Sequence, residues 1–198
     1  MKTSVAALAL LLPCLAGAPD YGKGKGLGNP AAPLLVEMYS DFQCPHCKHL
    51  HETFVPGFVK DYVTTGKVYF VCREFPLPGF GPKSREAAAY ATAAGKIGRF
   101  EEVSNALFAN QASWAMSGKI WETVASVLSP AEQTKVQALM KDPAIAGEVQ
   151  HDVDTGAKIP VRSTPTLVVT YRLQQRPWDY WQDDGKLFRG YLDGLLKQ

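Results

Sequence analysis

Two short stretches of mixed strand and helix pattern, 34–78 and 161–198, are separated by 82 residues, about 75 of which, past a Pro/Gly-rich break, read as helix. That interruption constrains the fold more than any single motif. Neither flanking part is large enough to close a core alone. They must pack on one another, with the helices inserted between them over 79–160. In the first part, Leu34 to Tyr39 is a short apolar run bounded by Pro33 and Ser40-Asp41, which predicts a buried strand. Leu50, Phe54, Phe58 and Tyr62 then recur at helical spacing. Pro56 should kink or interrupt that helix, and Gly66 should end it. Lys67 to Glu74 alternates and predicts a second strand, placing Cys72 beside Val68 and Phe70 as a buried, inert thiol.

Past the break at Phe75 to Pro82, helices are expected over Ser84 to Phe100, Glu101 to Asn110 and Lys119 to Leu128. Ser129-Pro130-Ala131-Glu132 is a capping box, and Asp142-Pro143 starts a further helix burying Ile145, Val149 and Val153. Thr166 to Tyr171 is β-branched and apolar, a third strand, with Arg176 to Trp181 as its hairpin partner. Asp183-Asp184-Gly185 opens a last helix carrying Leu187, Tyr191 and Leu195 beside Phe188, Leu192 and Leu196. The pattern is that of an α/β chain.

The 198 residues are 46% hydrophobic and 20% charged, with a net charge of +2, which excludes wholesale disorder and gives no electrostatic argument for nucleic acid. No apolar run reaches the length of a spanning helix. Lys2, the apolar stretch Val5 to Leu12 and the small residues Ala16 to Ala18 follow the order of a secretory signal over 1–18, which predicts a periplasmic or otherwise exported protein. Residues 19–33, rich in Gly and Pro, read as a flexible leader.

Chemistry concentrates at Cys44-Pro45-His46-Cys47, between the first strand and the first helix. A sulfur at a helix N-terminus faces free backbone N–H groups and the positive end of the dipole, so the Cys44 thiolate is favoured. The thiolate is the attacking species in thiol–disulfide exchange. Cys47, one turn further in, is placed to resolve a mixed disulfide. Pro45 has no N–H to lose at the first helical position, and His46 adds a donor or a positive charge near Cys44. Ser163-Thr164-Pro165-Thr166 enters the third strand. A cis Thr164–Pro165 bond would form a corner able to face the cysteines, whereas an ordinary trans proline starting a strand fits the spacing equally well.

The run Glu37 to Cys47, with Thr164-Pro165-Thr166 far downstream, resembles the DsbA-like branch of the thioredoxin superfamily over roughly residues 34–198. The resemblance implies a thioredoxin-like fold with an inserted all-α helical domain. It makes Cys44 the nucleophile, Cys47 the resolving thiol and Pro165 a cis-proline facing them, with Thr164 and Pro165 at the substrate. It implies no cofactor, a monomer, clients that are folding secreted proteins with free thiols, and reoxidation by a quinone-linked membrane partner of the DsbB or VKOR kind. Family members often carry a buried acid where Met38 stands here. Glu37 should face the other side of the strand, leaving Asp41, water or nothing in its place.

Other readings of the site carry less. A zinc site wants separated ligand pairs, and Cys44, Cys47, His46, His49 and His51 lack a second pair, so no metal is expected. His49 and His51 read as solvated or partly buried surface, with a shaping of the potential near Cys44 as the functional alternative. Trp114, Trp121, Trp178 and Trp181 read as packing residues, and Phe75 to Phe80 as a rim for clients. A reductase or isomerase kept reduced by a partner, or a binding module with a structural Cys pair, remain the competing functions.

Overall fold

A computed structural model describes residues 22–179 and 185–198. At its centre is β2 (Leu34–Ser40), which is buried on both faces, as its nearly continuous apolar sequence requires. Beside it run β3 (Val68–Glu74), parallel, and β4 (Thr166–Tyr171), antiparallel. The short β1 (Gly26–Leu27) and β5 (Gln174–Asp179) complete a five-stranded mixed sheet in the order β1-β3-β2-β4-β5. The register sets Met38 between Cys72 and Leu167, and Glu37 between Val71 and Val168.

One face of the sheet packs Leu34, Val36 and Met38 against helices on either side of the chain. These are α1 (Pro45–Thr53), α2 (Val55–Phe58) and α9 (Lys186–Leu195), which supply Leu50, Phe54, Phe58, Phe188 and Leu192. The break expected at Pro56 falls at Phe54, where α1 gives way to α2, and a π-helical stretch Val59–Val63 follows. Tyr39 and Val168 face the other way, toward Ile159 and Val161.

Between β3 and β4 lie α3 (Pro82–Gly95), α4 (Phe100–Ala109), α5 (Gln111–Ser117), α6 (Ile120–Ala125), α7 (Pro130–Leu139) and α8 (Pro143–Lys158). Their shared core includes Ala87, Ala91, Leu107, Trp114 and Ile120. Small alanines on α3 let the other helices approach closely. The capping box forms as expected: Ser129 accepts from the Glu132 N–H, and the Glu132 carboxylate accepts from the Ser129 N–H.

Several expectations are corrected. The helix expected to reach Phe100 stops at Gly95, because the chain turns through Gly98 in the left-handed region (φ +74) before α4 begins. Helix α5 was not foreseen, since no apolar period marks it. In α8 the inward position after Val149 is Asp152, while Val153 is only partly buried. The hairpin strand begins at Gln174, ahead of Arg176, and Trp181, Asp183 and Asp184 lie outside the described residues.

The described part of the expected flexible leader is also ordered. Gly26 and Leu27 pair with β3, and the adjacent Lys25 is buried against Asp152 of α8. Arg73 bridges the same Asp152 (3.0 Å) and Glu37 (2.8 Å). This buried set of paired charges ties β1, β2 and β3 to α8, and explains both the order of the leader and the polar residue on the helix face. Among the described residues no helix is long and apolar enough to cross a membrane.

Candidate active site

The site sits where β2 runs into α1. Cys44 is the N-cap residue of α1, with extended backbone (φ −75, ψ 119), and Pro45 takes the first helical position. Cys44 therefore stands at the end of the helix where the first-turn N–H groups have no helical partner. Both Cys44 (4% exposed) and Cys47 (1% exposed) lie in the seam between the sheet and the core of the inserted helices. The three described cysteines are free thiols. The Thr164–Pro165 bond is cis. It brings the Thr164 carbonyl to 3.4 Å from the Cys44 sulfur, which donates to it.

The two sulfurs are driven apart in acidity. The Cys47 thiol donates to Cys44, and this bond does most to hold the Cys44 thiol down at about 6. The Thr164 side chain and the backbone N–H groups of Cys47 and His46 pull in the same direction, against the opposing effect of burial. The Thr164 hydroxyl is buried and has no partner of its own, which leaves it available to a thiolate. Cys47 moves the other way: burial first, and then the neighbouring Cys44, push its thiol well above the ordinary value. One sulfur is thus set to be the anion and leaving group, the other to carry a proton.

Cys44, Cys47, Thr164 and Pro165 come together. Pro45 and His46 flank the pair on the exposed side, and the backbone N–H of His46 helps to favour the Cys44 thiolate. Glu37 is turned away into the Arg73 ion pair. Met38, at the position where the resemblance implies an acid, is buried among apolar side chains. Asp41 is buried beside the pair, but its carboxylate is fully engaged. It accepts from the Gln43 N–H (2.8 Å), the Leu77 N–H (2.7 Å) and the Ser84 hydroxyl (2.6 Å). What Asp41 offers Cys47 is its backbone N–H, at 3.4 Å. Asp41 is therefore a tie for the loop.

Sequence reasoning missed Gln111 and Ser84. Gln111 donates to the carbonyls of Phe42 (2.7 Å) and Cys44 (3.0 Å) across the seam. His49 is exposed, but His51 is partly buried against Asn105 (2.7 Å), and burial pushes its imidazole down. Cys72 is partly rather than fully buried. It borders a cavity of about 500 Å³ between β1, α2 and α4 that contains neither Cys44 nor Cys47. Desolvation pushes its thiol up to about 12, so it is a poor nucleophile at neutral pH. Of the expected client rim, Phe80 is exposed while Phe75 packs on Tyr39. Trp114 is fully buried. Among the described residues no group of His, Cys, Asp or Glu side chains is placed to hold a metal ion.

The family model for thioredoxin matches residues 22–182. The chain belongs to the thioredoxin family. Solved structures show that this thioredoxin-family chain has the DsbA-like arrangement, a thioredoxin-like sheet carrying an inserted helical domain. Alpha-DsbA1 of Wolbachia pipientis superposes with a TM-score of 0.70 at 21% identity, over 92% of this chain and 94% of that one. Oxidised BdbD of Bacillus subtilis gives 0.72 at 25% identity, over 89% and 95%. Among curated proteins, a candidate protein-disulfide oxidoreductase of Rickettsia typhi is 33% identical over 101 residues, 51% of this thioredoxin-family chain and 36% of the relative. The Na(+)/H(+) antiporter NhaA 1 of Mycolicibacterium gilvum is 30% identical over 152 residues, 77% of this chain and 24% of the relative. The chain thus spans only about a quarter to a third of the length of these curated relatives.

Proposed function

We propose that this chain is an exported thiol:disulfide oxidoreductase that donates the Cys44–Cys47 disulfide to folding secreted proteins. The observation that carries the reading is the opposed pair of acidities, with Cys44 held near 6 and Cys47 raised, beside the Thr164 carbonyl. In the forward step a client thiolate attacks the Cys44 sulfur. The Cys44–Cys47 bond breaks, Cys47 leaves with the electron pair and takes a proton, and a client–Cys44 disulfide forms. The client's second thiolate then attacks its own bridged sulfur and expels Cys44 as a thiolate. Two electrons pass from client to enzyme, and the client gains one disulfide. Cys44 is a good leaving group because its anion is stabilised, and protonated Cys47 is slow to attack back. The backbone around Thr164 and Pro165 is the surface on which an extended client segment would pair.

Return to the disulfide form requires an electron acceptor. A quinone-linked membrane partner of the DsbB or VKOR kind fits a monomeric enzyme of this type. Export rests on the signal-like pattern of residues 1–18, which lie outside the described residues.

One observation favours a second reading, a reductase kept reduced by another protein. The Cys44 value of about 6 stands closer to the value of about 7 of a reductant than to the value of about 3.5 of the strongest oxidants. Equilibration of the Cys pair with glutathione buffers decides between them. A pair that is mostly reduced in an oxidising, periplasm-like buffer is a donor. A pair that stays disulfide-bonded until the buffer is as reducing as cytosol defeats the oxidase reading. If Cys44→Ser leaves client oxidation and insulin reduction unchanged, both enzyme readings fail.

A further inference from the structure

We infer that Gln111, reaching across from the inserted helices, is a positioning residue that sets how readily Cys44 gives up its disulfide. The inference rests on the thiol–disulfide exchange proposed above.

Gln111 is the first residue of α5 and is 8% exposed. Its side-chain nitrogen lies 2.7 Å from the Phe42 carbonyl and 3.0 Å from the Cys44 carbonyl. Two carbonyl oxygens can be met only by the NH₂ end of the amide, so the orientation of the side chain is decided by its partners. The base of this arm is rigid. Trp114, fully buried one turn along, donates to the Leu107 carbonyl (2.7 Å), and Asn110 donates to the Ala106 carbonyl (2.9 Å). Phe42 itself packs on Phe108, with ring centroids 4.8 Å apart.

The two carbonyls bracket the reactive residue. On the chain side, the segment has local bonds of its own: Cys44 N–H to the Asp41 carbonyl (3.0 Å) and Lys48 N–H to the Cys44 carbonyl (3.2 Å). Local bonds of that kind permit the loop to shift as a unit. Gln111 anchors it to a separate body. The first-turn N–H groups of His46 and Cys47 favour the Cys44 anion only while the N-cap residue keeps its extended conformation and aims the sulfur at them. The amide hydrogens on the Phe42 and Cys44 oxygens also offset the partial negative charges of two carbonyls, one of them on the reactive residue itself. Removing them acts twice in one direction: the helix end aims less well, and the nearby field turns more negative. Both disfavour the thiolate, and so favour the disulfide.

The test uses the purified protein with Gln111→Met, which keeps length but has no donor, and Gln111→Asn, which keeps the donor but is too short to span both carbonyls. The thiolate absorbance at 240 nm is titrated, the Cys pair is equilibrated with glutathione, and urea midpoints are recorded. The expected result is a higher titration midpoint and an equilibrium moved about tenfold toward the retained disulfide, which is about 30 mV for a two-electron couple. Ser129→Ala, a cap lost from α7 far from the loop, should lower the urea midpoint without moving either quantity. If Gln111→Met fails to fold, Gln111→Asn is read alone. A lower urea midpoint with wild-type titration and wild-type glutathione equilibrium makes Gln111 a structural strut and overturns the inference. The wild-type equilibrium tests the oxidase reading, and the difference between wild type and variant tests Gln111, so one can fail without the other.

Discussion

Between pH 6 and pH 9 the reduced protein should gain stability, and Cys44 should be the cause. Its thiol is held at about 6 in the fold, against 9.0 for an ordinary thiol. In that interval the unfolded chain binds the proton that the native state has lost, so stability rises with pH. Below about 6 both states are protonated and the contribution vanishes. Each pH unit above that adds about 1.4 kcal/mol until the unfolded thiol ionises. The contribution is therefore about 1 kcal/mol at pH 7 and about 4 kcal/mol near pH 9. Cys47 works in the opposite direction, but only from about pH 9 upward, because its folded value is raised and its unfolded value is ordinary. The assay is urea unfolding in excess reductant at pH 5, 6, 7 and 8, on wild type and Cys44→Ala. Taking the difference cancels the other groups that titrate in the same range. The gap between the two proteins should open by about 1 kcal/mol from pH 6 to 7 and by slightly more from 7 to 8. Parallel curves would refute the reasoning, because a thiolate that the fold does not stabilise cannot make the disulfide a donor.

Thr164→Val removes a buried hydroxyl at constant shape, so it should raise the Cys44 titration midpoint, leave the urea midpoint of the reduced protein unchanged or slightly higher at pH 5, and lower it above about pH 6, where the thiolate loses a donor. Asp152→Ala takes from buried Lys25 the carboxylate it is bonded to and leaves Arg73 its pair with Glu37, and should cost about 3–5 kcal/mol in urea unfolding. Burial pushes the Glu74 carboxyl up to about 8. Its raised value means stability falls as pH rises from about 4.5 to 8, so the advantage of Glu74→Gln should grow over that range to roughly 3 kcal/mol at pH 7; a flat difference would show that Glu74 is ionised and paired.

The residues of the candidate site were legible because their pattern is local. A cysteine pair one turn apart at a strand-to-helix junction needs nothing distant to define where Cys44 lies relative to the helix end. Strands β2, β3 and β4 were legible for a similar reason, as each is a short apolar run between breaks. Contacts that join distant parts of the chain left little trace. Gln111 stands in a seven-residue helix with no apolar stripe, and its partners are carbonyls, which any sequence would supply. Lys25 lies in a Gly-rich stretch that looks unstructured, and its order comes from Asp152, more than a hundred residues away. Asp41 was visible as an acid near the cysteines. Its role as an acceptor for Leu77 and Ser84 depends on how the β3–α3 connection folds back over it.

The inserted helices are thus a working part of the candidate site rather than a cover placed over it. The β2–α1 junction is bonded to them at Asp41–Ser84, at Gln111 with the Phe42 and Cys44 carbonyls, at Lys48 with the Phe108 carbonyl (2.8 Å), and at His51–Asn105. Cys44 and Cys47 belong to the helical core as much as to the sheet. A sheet and α1 without the insertion would keep the helix dipole, but would expose the sulfurs to water and lose the donors that hold the loop. Water would solvate either thiolate, and the difference in acidity between Cys44 and Cys47 would shrink toward that of two exposed thiols. Because the burial that raises Cys47 and the bonds that aim Cys44 come from the same seam, its closeness controls both at once. Any change that loosens it should shrink the difference in acidity by acting on the two sulfurs together.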